Sequence, residues 1–167
     1  SSGSFTFKHL ATELLKLKAN IDILHIPYRG TALLATDLLG GQIDLAFAGP
    51  PTALPHLSNG RLRALATTGA ERSAAFSDIP TMVEAGVADY EFTQWYGMLA
   101  PNGTPQALIN ILNATLLKAM DDLNVRKRIA DEAGVVTPTT PEEFAMRLKD
   151  DLPKKGKLIK DAGIKRQ

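Results

Sequence analysis

The chain has 167 residues, 44% of them hydrophobic and 22% charged, and its nineteen basic and eighteen acidic residues leave a formal net charge of +1. This is ordinary globular composition rather than that of a disordered or membrane-spanning chain, and without a dense Lys/Arg stripe nucleic acid has no support as a partner. The absence of Cys excludes a disulfide framework and thiolate metal sites, and it admits an oxidising or a reducing compartment equally.

The sequence opens abruptly at Ser1-Ser2-Gly3-Ser4, shaped like the loop before a helix and without a basic, apolar leader, so an upstream part is expected. Over residues 5–19, Phe7, Leu10, Ala11, Leu14, Leu15 and Leu17 recur mostly at three- and four-residue steps, which predicts a helix capped by Ser4 or Thr6. Residues 21–26 form a short β-branched run closed by Pro27 and read as a covered strand. A helix over residues 31–39 ends in Gly40-Gly41, and a second buried strand over 43–48 is stopped by Gly49-Pro50-Pro51. A short helix over 52–57, a turn at Ser58-Asn59-Gly60 and a strand over 62–67 complete an alternating series. That series predicts an α/β lobe with a mainly parallel sheet flanked by helices and joined by right-handed crossovers.

Periodicity weakens between Thr68 and Asp89, where only a short helix near residues 81–85 is expected, and residues 90–99 then read as a long strand passing between lobes. The predicted division is therefore 1–89 and 90–167. Pro101-Asn102-Gly103 ends the strand, Thr104 caps, Pro105 takes the first turn, and Leu108, Ile111, Leu112, Leu116, Ala119 and Met120 form one helical face. A further helix over 123–133 closes at Gly134. Thr140-Pro141-Glu142-Glu143 is a capping box opening a last helix with Phe144, Leu148 and Leu152, which Pro153 should kink or divide.

His9, His25 and His56 show no metal-ligand spacing, and the sequence contains neither a G-x-S-x-G elbow nor a phosphate-cradling G-x-x-x-x-G-K-[ST]. Asp121-Asp122, Glu142-Glu143 and Asp150-Asp151 suit caps or solvated charge better than acid–base chemistry. No catalytic constellation, metal or cofactor is indicated. Two loops remain: Ser2, Gly3 and Ser4 within the first, and Tyr28, Arg29, Gly30 and Thr31 in the second. Each joins Gly to hydroxyl donors ahead of a helix whose first amides are unpaired, which suits an anion, although Ser and Thr are also the standard capping residues. Arg29 alone would serve equally as a surface ion-pair partner, and Trp95 and Tyr96 could line a cleft or simply fill a core.

Read together, His25-Ile26-Pro27-Tyr28-Arg29-Gly30, the segment Asp37-Leu38-Leu39-Gly40-Gly41-Gln42-Ile43-Asp44-Leu45-Ala46-Phe47, Leu62-Arg63-Ala64-Leu65-Ala66-Thr67-Thr68 and Trp95-Tyr96-Gly97-Met98-Leu99-Ala100-Pro101-Asn102-Gly103-Thr104-Pro105 resemble the tripartite tricarboxylate transporter receptors, the TctC or Bug-type extracytoplasmic solute receptors. The pieces run in order over nearly the whole chain. The resemblance implies a type II periplasmic-binding-protein fold, a periplasmic location, a small carboxylate clasped between two lobes, delivery to membrane transporter subunits, and no enzymatic activity. It also implies that the chain holds the second lobe and the C-terminal part of the first. Ser2, Gly3, Ser4 and the 28–31 loop would then face the ligand, joined by the strand end at Ala48 and Gly49. Many members carry Asp where Ala48 stands here, so a polar ligand contact available elsewhere in the family is missing.

The alternative class is a ligand-sensing domain of a transcriptional regulator, against which stand the lack of a helix-turn-helix and of a basic patch. An enzyme of carboxylate metabolism lacks its catalytic groups. Taken alone, the chain is expected to bind its solute weakly and to pair as a homodimer through uncovered apolar faces.

Overall fold

The computed structural model describes residues 1–164. It contains α1 (Phe7–Ala19), α2 (Thr31–Leu39), α3 (Pro50–Ser58), α4 (Gln106–Met120), α5 (Leu123–Asp131) and α6 (Pro141–Asp161), with one 3₁₀ turn at Ala74–Phe76. Among the described residues no helix is long and apolar enough to cross a membrane. The chain divides into two compact units, the first holding residues 1–94 and 158–164, the second residues 95–157.

In the first unit α1 packs through the face its spacing predicts. Leu10 and Ala11 are buried against Tyr90, Phe92 and Leu158, and Phe7, Leu14, Leu15, Phe47 and Met82 close around them. The rings of Phe7 and Phe92 meet at 4.6 Å, within the range of favourable aromatic pairs. Thr6, not Ser4, caps the helix, its hydroxyl accepting from His9 N. Asn20 ends it in the left-handed conformation, where its short polar side chain is tolerated better than most.

In the second unit Asp122 caps α5 by accepting from Asn124 N and Val125 N, and the Thr140–Glu143 box opens α6 with reciprocal bonds of 2.8 and 3.1 Å. Asn113 of α4 donates to Thr139 O at 3.1 Å, tying α4 to the segment before α6. Trp95 stands edge-on to Phe144 at 5.3 Å.

The parallel sheet expected from the sequence is absent among the described residues. Helix accounts for 48% of the described residues and strand for 1%, so the α/β lobe, its strands at 21–26, 43–48, 62–67 and 90–99, and its crossovers are corrected to a mainly helical architecture with extended connections. The one bridge among the described residues pairs Thr67 with Thr81 in parallel. An apolar, β-branched run favours an extended backbone, but a ladder also needs a second backbone about 4.8 Å away and in register along its length. The runs here lack that partner and its cover: Leu24 is 84% exposed and Leu65 66% exposed. Residues 90–93 keep the two-residue alternation, with Tyr90 and Phe92 buried and Glu91 and Thr93 exposed, yet they serve as an extended edge of the core.

Two local readings also change. In place of the helix expected near residues 81–85 stand turns over 82–86, although Thr81 and Glu84 make a reciprocal box of the same kind as that of α6. Pro153 lies inside an undivided α6, because a helix of roughly six turns survives the loss of one N–H bond.

Candidate functional site

The first unit brings the two sequence-selected loops together. Tyr28 N donates to Ser1 O at 2.8 Å and Ser1 N donates to Ile26 O at 2.8 Å, so the opening of the chain lies along the segment that leads into α2. Gly3 has φ near +142°, a region that disfavours any side chain. A Cβ at Gly3 would sit 3.3 Å from Thr6 Cγ2 and 3.9 Å from Tyr28 O.

Several donors in and just after the first loop are already engaged. Ser1 Oγ donates to Gly3 O at 2.9 Å and meets His25 Nε2 at 2.6 Å. Thr6 Oγ1 also donates to Gly3 O, at 2.8 Å, and Phe5 N donates to His9 Nδ1 at 3.1 Å. Among the described residues the hydroxyls of Ser2 and Ser4 have no protein partner. They are half-buried and remain able to donate to a ligand.

The second loop is held at one end and open at the other. Tyr28 Oη donates to Asp37 Oδ2 at 2.9 Å, fixing the ring to α2. Arg29 is exposed and makes no ion pair among the described residues. Gly30 precedes α2 with φ near 107° and supplies no side-chain cap. The first amides of α2, beginning at Thr31, thus follow two residues after an Arg that makes no ion pair, and helix amides and guanidinium both carry positive potential toward an anion.

The Ala48–Gly49 end differs. Gly49 precedes α3 without a side-chain cap, but Pro50 and Pro51 lack N–H groups, and Thr52 N and Ala53 N both donate to Gly49 O. This helix start offers an anion few donors. Ala48 is exposed.

Two features escaped the sequence reading. The stacked imidazoles of His9 and His25, 3.9 Å apart and 7° from parallel, lie directly behind the 1–4 loop. They show no spacing motif because their partnership depends on tertiary proximity. Asp151, read as solvated charge, accepts from Trp95 Nε1 and pairs with Lys155 at 3.0 Å. Those bonds, Trp95 first, hold its pKa below the usual carboxylate value. A depression lined by Glu71, Arg72, Thr81, Glu84, Asp89 and Tyr90 does not include the two loops. Its acidic rim has the wrong sign for an anion, and its Arg72 is already paired to Glu84 at 2.8 Å. No group of potential metal ligands is present among the described residues.

Residues 1–164 match the family described as the tripartite tricarboxylate transporter family receptor. The chain belongs to that family. It is 31% identical over 157 residues to BugT of Bordetella pertussis, covering 94% of this chain and 48% of that protein. Among solved structures it is similar to R. palustris Rpa4515 with adipate, at a TM-score of 0.82 and 31% identity, over 98% of this chain and 55% of that one. It is also similar to MatC from Rhodopseudomonas palustris with bound malate, at a TM-score of 0.74 and 27% identity, over 91% and 53% respectively. The chain spans about half the length of these relatives.

Proposed function

We propose that the protein is a periplasmic, non-enzymatic solute receptor that captures a small carboxylate and delivers it to the membrane subunits of a tripartite transporter. The observation that carries this reading is the juxtaposition of the free Ser2 and Ser4 hydroxyls with the loop bearing the unpaired Arg29 and the uncapped start of α2. Hydroxyls, helix amides and a guanidinium are the donors a carboxylate needs, and the guanidinium can engage both of its oxygens. The dicarboxylates named with Rpa4515 and MatC support the ligand class. Residues 1–89 would supply the ligand loops, and residues 90–167 the passage to the rest of the receptor.

The test is calorimetry of the full-length protein with malate, adipate and their diamides. Replacing Ser4 or Thr31 by Ala should weaken dicarboxylate binding by about 0.5–1.5 kcal/mol each, the net worth of one hydrogen bond. Unchanged affinity in both variants removes this site. The regulator reading has no specific observation in its favour.

A further inference from the structure

The loop between Ser1 and Phe5 is held at both ends by one aromatic pair. At its start, Ser1 Oγ lies 2.6 Å from His25 Nε2. At its end, Phe5 N donates to His9 Nδ1 at 3.1 Å. The two rings stack on each other at 3.9 Å, so the loop that carries Ser2, Gly3 and Ser4 is strung between two groups that also support one another. We propose that His9 and His25 are a positioning pair that sets the geometry of this ligand loop, and that they hold it only while His9 is neutral. The proposal rests on the reading of the loop as a carboxylate site.

The proton inventory fixes the roles. A backbone N–H can only donate, so His9 Nδ1 must be unprotonated and its proton sits on Nε2. A second proton on His9 would set N–H against N–H and remove the bond to Phe5. Ser1 Oγ spends its own hydrogen on Gly3 O, so it accepts from His25 Nε2–H, a bond that would survive protonation of His25. The sensitive member is therefore His9, and the stack keeps both rings from carrying charge together.

The surroundings agree. His9 is buried on α1, and the charged groups facing it are Glu13 and Lys16 of the same helix, with His25 across the stack. Glu13 Oε1 stands 3.7 Å from His9 Nε2 and would favour the imidazolium, but Glu13 is also engaged by Lys16 at 3.2 Å. Burial outweighs it and lowers the His9 pKa. Burial and the neighbouring His9 push His25 down to about 4. A folded-state pKa lowered below 6.5 stabilises the clamped form above that value, and the stabilisation is lost as pH falls through the lowered value.

The experiment compares full-length wild type with His9→Asn and His9→Leu, by calorimetry with malate and adipate from pH 8 to 5 and by ¹⁵N spectroscopy of the imidazole nitrogens and the Phe5 amide. The Asn carboxamide oxygen can stand in for Nδ1 as an acceptor and does not titrate. The expected result is near wild-type affinity for His9→Asn at pH 7.5, with wild type falling behind it by roughly tenfold for each pH unit below the His9 pKa. His9→Leu should bind more weakly throughout. A constant ratio of wild type to His9→Asn over the whole range overturns the proposal, and the comparison cancels titration of the ligand itself. If neither acid binds any of the proteins, the carboxylate reading fails and the spectra alone decide the clamp. An acceptor Nδ1 at pH 7.5, with a Phe5 amide that follows the His9 titration, upholds it. A protonated Nδ1 or an indifferent Phe5 amide overturns it.

Discussion

The phenol of Tyr90 donates to the carbonyl of Ala11 at 3.0 Å, joining residues 79 positions apart. Both are fully buried, and the burial raises the phenol's pKa well above its usual value, so it remains a donor under ordinary conditions. The bond anchors the segment after Asp89 to the middle of α1, the helix that follows the 1–4 loop. Tyr90→Phe should cost about 0.5–1.5 kcal/mol. Tyr90→Ala should cost about 3–5 kcal/mol, because it also empties the space beside Leu10 and Phe92. Urea denaturation of the two variants checks the order. Equal losses would mean that the ring's packing contributes nothing beyond the hydroxyl.

In the second unit Gly97 is required by Phe144. An alanine Cβ at position 97 would overlap the tip of the Phe144 ring, which would have to shift from its edge-on contact with Trp95. Gly97→Ala should destabilise by about 1–3 kcal/mol, the usual cost of overpacking. Combining it with Phe144→Leu should recover part of the loss. A double-mutant cycle measures that recovery, and strict additivity would show that the two residues do not meet.

How far the sequence revealed this molecule depends on the range of each interaction. The helices were legible because their determinants are local: the spacing of Leu10, Leu14 and Leu15, the Thr140–Glu143 box, and the glycine pair after Leu39 act within a few residues of themselves. The sheet was misread because residues such as Leu24 and Leu65 report a preference for extension and burial, while pairing depends on a distant backbone. The Gly and hydroxyl content that made the two loops anion-site candidates was legible. Their adjacency, the His9–His25 stack and the Trp95–Asp151 bond were not, since each joins residues remote in sequence.

Trp95 is the chain's single tryptophan, so its emission reports on the surroundings of that one ring, the Asp151 contact among them. The Trp95 and Lys155 bonds depress the Asp151 pKa, which means that the ionised carboxylate is favoured in the folded state. Its contribution is fully present above the ordinary value of 3.8 and is lost as pH falls below it. Emission should therefore shift in acid with a midpoint under 3.8, and Asp151→Asn should abolish that transition. A midpoint at or above the ordinary value would contradict the contact.

Ala48 is exposed at the start of α3, a helix entry poor in donors. An Asp at this position could pair with an ammonium group, which Ala cannot. Ala48→Asp should therefore improve binding of aspartate by roughly tenfold relative to malate, about the worth of one charge-assisted hydrogen bond. Parallel titrations of both acids give the ratio, and an unchanged ratio would place Ala48 away from the ligand.

The central claim concerns charge recognition by the 28–31 loop, and Arg29 tests it most directly. The measurement is the affinity of the full-length receptor for malate, adipate and their diamides, for wild type and Arg29→Gln. Saturable binding of a dicarboxylate, little or none of its diamide, and a loss of roughly tenfold or more in Arg29→Gln are the predicted results. Equal binding of acid and diamide, or full affinity in Arg29→Gln, would contradict the account.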